Sequence, residues 1–215
     1  MINLLIATRN RHKVAEIQSI LGPAFRCQPL AELSNAPEVV EDAPTFAGNA
    51  TKKATELARW IAGKAELNFV LADDSGLEVD ALGGQPGVHS ARFAALDANP
   101  ADQTQNSPDA ENNAKLLRLL QNVPAKQRTA RFHCVIALVE VRPPGSGNPQ
   151  VQLFDGTCEG RIDFAPRGSG GFGYDPLFIP NGYEQSFAEL GEAAKNQLSH
   201  RAQALAKLGI WLSCK

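Results

Sequence analysis

Met1-Ile-Asn-Leu-Leu-Ile-Ala-Thr8, then Arg9-Asn10 and a segment closing on Leu21-Gly-Pro23, is the stretch that decides the fold class. Its opening is a short continuous apolar run, the pattern of a strand buried on both faces. No basic segment precedes the run and charge arrives at Arg9, so it reads as a strand and not as a secretory leader. After Asn10, the residues Val14, Ile17 and Leu21 fall on one helical face, and Gly22-Pro23 stops the helix. A buried strand feeding directly into an amphipathic helix is the opening of an α/β fold.

The rest of the chain extends this pattern. Helical spacing recurs from Thr45 (Phe46, Ala50, Leu57, Ala58, Ile61, ended by Gly63), over Asp109 to Leu120, and over Gly191 to Leu208. Strands are expected at Ile2–Ala7, Phe69–Ala72 and Leu77–Val79. Two further β-branched runs, Thr129 to Val141 and Val151 to Ile162, flank the Pro143–Pro149 loop as a long hairpin. The expected architecture is a mixed twisted sheet flanked by helices, with a second, smaller lobe that contains the long antiparallel hairpin. A ligand cleft is expected between sheet and lobe.

Composition narrows the function classes. The 215 residues carry 21 Lys+Arg against 23 Asp+Glu, a net charge of −2, which disfavours a protein built to lie on nucleic acid. A length of this order suits a single domain, 1–215, in two lobes. No apolar run approaches the ~18 residues of a membrane span. Cys27, Cys134, Cys158 and Cys214 show no C-x-x-C spacing, so neither zinc nor a disulfide framework is expected. These totals describe a soluble, cytoplasmic protein with no membrane and no nucleic-acid partner.

Five segments hold chemistry-bearing residues. Thr8, Asn10 and Lys13 stand at the junction of the first strand and helix, where free N–H groups suit a phosphate, or where Asn10 simply caps the helix. Glu41-Asp42 precedes the second helix, which carries Lys52 and Lys53. Leu71-Ala-Asp-Asp-Ser-Gly-Leu77 runs an apolar strand into two acids, with Ser75 and a glycine behind them. Neighbouring carboxylates point to opposite sides of a strand, so one is free to face a ligand while the other braces. Oxygen donors without nearby thiols or imidazoles suit Mg²⁺ first and Mn²⁺ second. Gly168-Ser-Gly-Gly-Phe-Gly-Tyr-Asp175 combines backbone access with aromatic faces: a platform for a flat base, or a tight turn with core aromatics. Lys195-Asn-Gln-Leu-Ser-His-Arg201 spreads Lys195, His200 and Arg201 over a polar helix face. Cations, carboxylates and an aromatic-glycine platform together are the parts for handling a nucleotide with a divalent ion.

The order A-T-x-N-x-x-K, E-D…T-F-x-x-N-A-x-x-K-A, A-D-D-S-G-L-x-V-x-A-L-G-G-x-P-G-x-x-S-A-R, G-F-G-Y-D-P-x-F and S-H-R-x-x-A-L, running from Ala7 to Leu205, resembles the inosine/xanthosine triphosphate pyrophosphatase family in its bacterial form. Arg9 departs from a common glycine. The resemblance implies hydrolysis of non-standard purine nucleoside triphosphates (ITP, dITP, XTP) to the monophosphate and pyrophosphate. By position it implies Mg²⁺ at Glu41 and Asp74, with Asp74 activating the attacking water. Thr8, Asn10, Lys13 and Lys53 would hold the triphosphate. Ser75, Phe172, Gly173, Tyr174, Asp175, Lys195, His200 and Arg201 would shape the nucleotide pocket, with Arg201 or a backbone N–H as donor to the base oxygen at C6. Asp73 would brace the site or help bind a second ion. A homodimer is also implied. The alternatives are a related pyrophosphatase of different base preference and a nucleotide sensor without turnover.

Overall fold

The computed structural model describes residues 2–63, 66–97 and 106–214; most of the polar stretch Asp97 to Pro108 lies outside them. In chain order the elements are β1 (Ile2–Ile6), α1 (Arg11–Leu21), β2 (Phe25–Pro29), α2 (Phe46–Trp60), β3 (Phe69–Val79), α3 (Asp109–Leu119), β4 (Thr129–Glu140), β5 (Val151–Ile162), β6 (Phe178–Pro180), α4 (Phe187–Leu198) and α5 (His200–Ser213). The strands form one mixed six-stranded sheet in the order β2-β1-β3-β4-β5-β6. β1 pairs parallel with β2 and β3, and β5 pairs antiparallel with β6.

The chain divides into two compact units. The first takes Met1–Asp74, Cys134–Gly156 and Arg201–Lys215; the second takes Ser75–His133 and Thr157–His200. The second is nearly as long as the first, and the expected hairpin is shared: its tip half belongs to the first unit. The reason is its apolar sequence. Cys134, Ile136, Leu138 and Phe154 join Leu4, Ile6 and Leu71 under α1 and α5.

Side-chain alternation gives the first unit two cores. Leu4, Ile6 and Leu71 face α1 (Val14, Ile17) and α5 (Leu205, Leu208), while Leu5, Val70 and Ala72 face α2 (Ala50, Ala54, Leu57). An eleven-residue helix such as α1 is marginal in water by itself. Fully buried Ile17 contributes about 1.5–3 kcal/mol, so packing holds the helix more than propensity does. The second unit is built around Leu77, Phe93, Leu116, Phe132, Phe178 and Phe187.

Two expectations are corrected. The acids do not lie at the end of a strand, because β3 runs unbroken from Phe69 through Asp73-Asp74-Ser75-Gly76 to Val79. The extended chain is kept beyond Gly76 because the Leu77 N–H donates to Ser90 Oγ at 2.9 Å and Ser90 Oγ donates to Gly87 O at 2.6 Å. Gly76 leaves room for that approach, since a Cβ there would lie 2.3 Å from Ser90 Oγ and 2.4 Å from Gly87 O. Second, the Gly191–Leu208 helix is two helices. Ser199 is extended (ψ 159°) between α4 and α5, and α4 itself is kinked at non-helical Gly191 (φ 80°, ψ 173°), where the expected helix begins, with a short helical turn ahead of it opened by a capping box of Ser186 and Glu189. Short strands β2 and β6, which spacing did not indicate, complete the sheet edges.

Candidate functional site

The functional side chains of the first unit sort onto the two faces of β3. Asp73 follows Leu71 onto the α1/α5 face, and Asp74 follows Ala72 onto the α2 face. At Asp73, Lys13 Nζ from α1 donates to Oδ1, Arg201 Nε from α5 donates to Oδ2 at 3.1 Å, and the Cys134 thiol donates to Oδ2 at 3.0 Å. Arg201 Nη1 also donates to Glu16 of α1, giving a row Lys13–Asp73–Arg201–Glu16 of alternating charge. Burial would raise the Asp73 pKa, but Arg201 and Lys13 outweigh it and hold the carboxyl well below its usual range. Burial disfavours the Lys13 and Arg201 cations too, and the carboxylates outweigh it, so both pKa values rise.

Across the strand Asp74 is in a poorer position. Its Oδ2 is buried and has no hydrogen-bond partner. Lys53 Nζ of α2 is 3.8 Å from Oδ1, donating at 2.9 Å to Glu41 Oε2 and at 2.8 Å to the Asp73 carbonyl. Asn49, one turn before Lys53 on α2, hydrogen-bonds Asp74 and accepts the Ala43 N–H through Oδ1 at 2.9 Å. Burial dominates at Asp74 and raises its pKa; Lys53 and Lys13 oppose this, and Glu41 adds to it. The result is a buried carboxylate whose charge is only partly compensated, with a second carboxylate on the other side of one ammonium.

In the second unit, the glycine-rich segment is a pinned turn. Asp175 Oδ2 accepts from Phe172 N at 2.8 Å and from Lys195 Nζ at 2.6 Å, and that ammonium stands 4.2 Å from the Phe172 ring centroid. Gly171 (φ +73°) is required, because a Cβ there would lie 2.2 Å from Asp175 Oδ2. Tyr174 is core, its hydroxyl donating to Ser90 O at 2.9 Å, and burial pushes its pKa up. His200 is buried and stacks on Phe132, centroids 4.9 Å apart.

The expected site residues therefore fall into two groups. Thr8, Asn10, Lys13, Glu41, Lys53, Asp74 and Arg201 stand in the first unit, with Asp73; Ser75, Phe172, Gly173, Tyr174, Asp175, Lys195 and His200 stand in the second. Asn10 caps α1, its Oδ1 accepting from His12 N and Lys13 N, and Thr8 Oγ1 accepts from Asn10 N at 3.2 Å. Arg201 is 1% exposed with its guanidinium spanning Asp73 and Glu16, and the Tyr174 hydroxyl donates to Ser90 O. Sequence reasoning missed Glu16 and Asn49, whose signals were positional: three residues beyond Lys13 and four before Lys53, each on the same helical face.

Two carboxylates with an unpartnered buried oxygen are a donor set that fits Mg²⁺, which is held by one or two acids with phosphate and water oxygens. Among the described residues no group of three or more His, Cys, Asp or Glu forms an all-protein cage.

The chain as a whole is similar to known proteins. Residues 4–211 match the model of the Ham1 family. A dITP/XTP pyrophosphatase of Shouchella clausii is 44% identical over 98% of this chain and 99% of its own, and one of Geobacillus kaustophilus is 47% identical over 97% and 93%. Among solved structures, a HAM1 protein from Coxiella burnetii superposes with a TM-score of 0.81 at 37% identity, covering 100% of both chains. A nucleoside-triphosphatase / dITP/XTP pyrophosphatase from Mycobacterium abscessus gives 0.70 at 36% identity, over 96% of this chain and 98% of that one. The chain belongs to the Ham1 family.

Proposed function

We propose that the protein hydrolyses non-standard purine nucleoside triphosphates, dITP, XTP and ITP, to the monophosphate and pyrophosphate. The substrate class rests on likeness to dITP/XTP pyrophosphatases over nearly the whole length of both chains. The observation that supports turnover, as opposed to binding alone, is Asp74. A buried carboxylate oxygen without a partner costs about 1–3 kcal/mol, which a nucleotide sensor has no need to carry.

Glu41 and Asp74 would hold Mg²⁺, with Mn²⁺ as a substitute. When bound, the ion supplies positive charge to the triphosphate, where negative charge grows as pyrophosphate leaves. Asp74 would take the proton of the attacking water. Lys53 and Lys13 would supply cations for the phosphates, with Thr8 and Asn10 beside them at the start of α1, where the positive end of the helix dipole lies. The Phe172–Asp175 turn, with Lys195 and with Ser75 and His200 of the same unit, would receive the nucleotide, Phe172 offering its ring to the base. A backbone N–H is the better donor to the C6 oxygen, since the Arg201 guanidinium is engaged by two carboxylates. Adenine carries an amino group there and would leave that donor unpaired.

Pyrophosphate release from dITP, XTP, ITP, GTP and ATP with Mg²⁺ tests this reading. The three non-standard nucleotides should be hydrolysed with the higher kcat/KM; equal values on all five would overturn it. A cytoplasmic homodimer is the proposed state, and sedimentation of the purified chain reads out its mass. No helix among the described residues is long and apolar enough to cross a membrane.

A further inference from the structure

Gly173 sits at the tip of the pinned turn with φ +63°, and nothing lies within 4 Å of where its Cβ would be. Hydrogen bonds hold it on both sides. Its N–H donates to Asp109 Oδ2 at 2.6 Å, and its carbonyl accepts from Asn113 Nδ2 at 3.0 Å. Asp109 and Asn113 are one turn apart on α3, so their side chains share a face and take the residue's donor and acceptor together. Asp109 stands in the first turn of α3, where the helix dipole favours a carboxylate.

Asn113 carries a cost that points to its role. Only the amide nitrogen can donate to the Gly173 carbonyl, so the orientation of the amide is fixed. That leaves Oδ1 buried and without a hydrogen-bond partner. An apolar side chain of similar shape would avoid the orphaned acceptor but would also remove the donor to the Gly173 carbonyl, so the amide is kept for the bond it makes to the turn. Adjacent on the chain, Asp175 holds Phe172 N from the other direction. Phe172 N, Gly173 N and Gly173 O are thus each fixed by a side chain.

We propose that Asp109 and Asn113 are positioning residues for base recognition, gripping Gly173 from α3 so that the neighbouring Phe172 ring meets the purine in a fixed geometry. The proposal rests on the pyrophosphatase reading above, in which this turn receives the base.

Steady-state kinetics on dITP and dGTP, with thermal unfolding alongside, test it using Asn113→Leu, Asp109→Ala and Asp109→Asn. Asn113→Leu and Asp109→Ala should raise KM for dITP by on the order of tenfold, the loss of one good hydrogen bond, with kcat within about twofold, and should narrow the preference for dITP over dGTP. Asp109→Asn keeps an oxygen for the Gly173 N–H and should restore KM to within about twofold of the parent. Asn113→Leu should unfold at the parent's temperature or above. Unchanged KM and unchanged base preference in Asn113→Leu and Asp109→Ala would overturn the proposal. So would a fall in stability of Asn113→Leu that tracks its loss of activity, or failure of Asp109→Asn to rescue. A parent protein inactive on dITP would instead remove the pyrophosphatase reading, which the same assay reports separately.

Discussion

Asp73 and Asp74 are consecutive residues of one strand, yet their surroundings are opposite in kind. The α1/α5 side of β3 gives Asp73 two cations and a thiol, and its charge is matched so fully that its pKa is driven down. The α2 side gives Asp74 a hydrogen bond from Asn49 and one ammonium at 3.8 Å, shared with Glu41, which do not offset its burial, so its pKa is driven up. The alternation of a strand is enough to separate the two roles. On one face the carboxylate is matched by its neighbours; on the other it keeps a buried oxygen without a hydrogen-bond partner.

The comparison breaks first at Asp73. Asp73→Asn strands Lys13 and Arg201 in a buried site and should cost about 3–5 kcal/mol, measured by urea unfolding. A loss under about 1 kcal/mol would mean the α1/α5 face is not held by its charges. Asp74→Asn should reduce kcat for dITP by about 10²–10⁴-fold, the range of a lost general base, with the fold intact by circular dichroism. Near-normal turnover would remove Asp74 from the reaction.

The two acids should also respond to pH with opposite signs, which metal-free protein and its two asparagine variants can show. The Asp73 pKa lies below its ordinary 3.8 in the fold, so its contribution is present in full above about pH 4 and is lost as pH falls through the folded value. The stability gap between parent and Asp73→Asn should therefore narrow in acid. The Asp74 pKa lies above 3.8, so its contribution is fullest below that value and is lost as pH rises through the folded one. Parent and Asp74→Asn should converge in acid, with the variant the more stable by about 1 kcal/mol near neutrality. The smallest effect is expected at Glu16→Gln, about 1 kcal/mol, because Arg201 keeps Asp73.

Much of the fold was legible because periodicity reports burial. The α1 face (Val14, Ile17) and the α2 face (Ala50, Leu57, Ala58) are the ones that pack. β2 escaped because Phe25-Arg-Cys-Gln-Pro29 is an edge strand of mixed polarity, with no alternation to read. The break at Ser199 escaped because serine is compatible with either conformation, and its extended backbone is set by the surrounding structure. The acids read as a strand end because two charges and a glycine mimic a turn; what keeps them in β3 is Ser90, thirteen residues from the N–H it accepts. At the site, Asp74, Glu41 and Lys53 were legible as residue types. Which carboxylate would be satisfied depended on Arg201, 128 residues beyond Asp73, and no spacing rule reaches that far.

Gly76 sets a limit on how this sequence can drift. A side chain there meets a hydroxyl and a carbonyl within 2.4 Å. Replacing Ser90 would clear only the hydroxyl, since the Gly87 oxygen belongs to the backbone and no substitution removes it. No second-site change of side chain can therefore open position 76. The glycine two places after Asp74 is locked by volume, and its neighbours on β3 inherit a register that mutation cannot easily renegotiate.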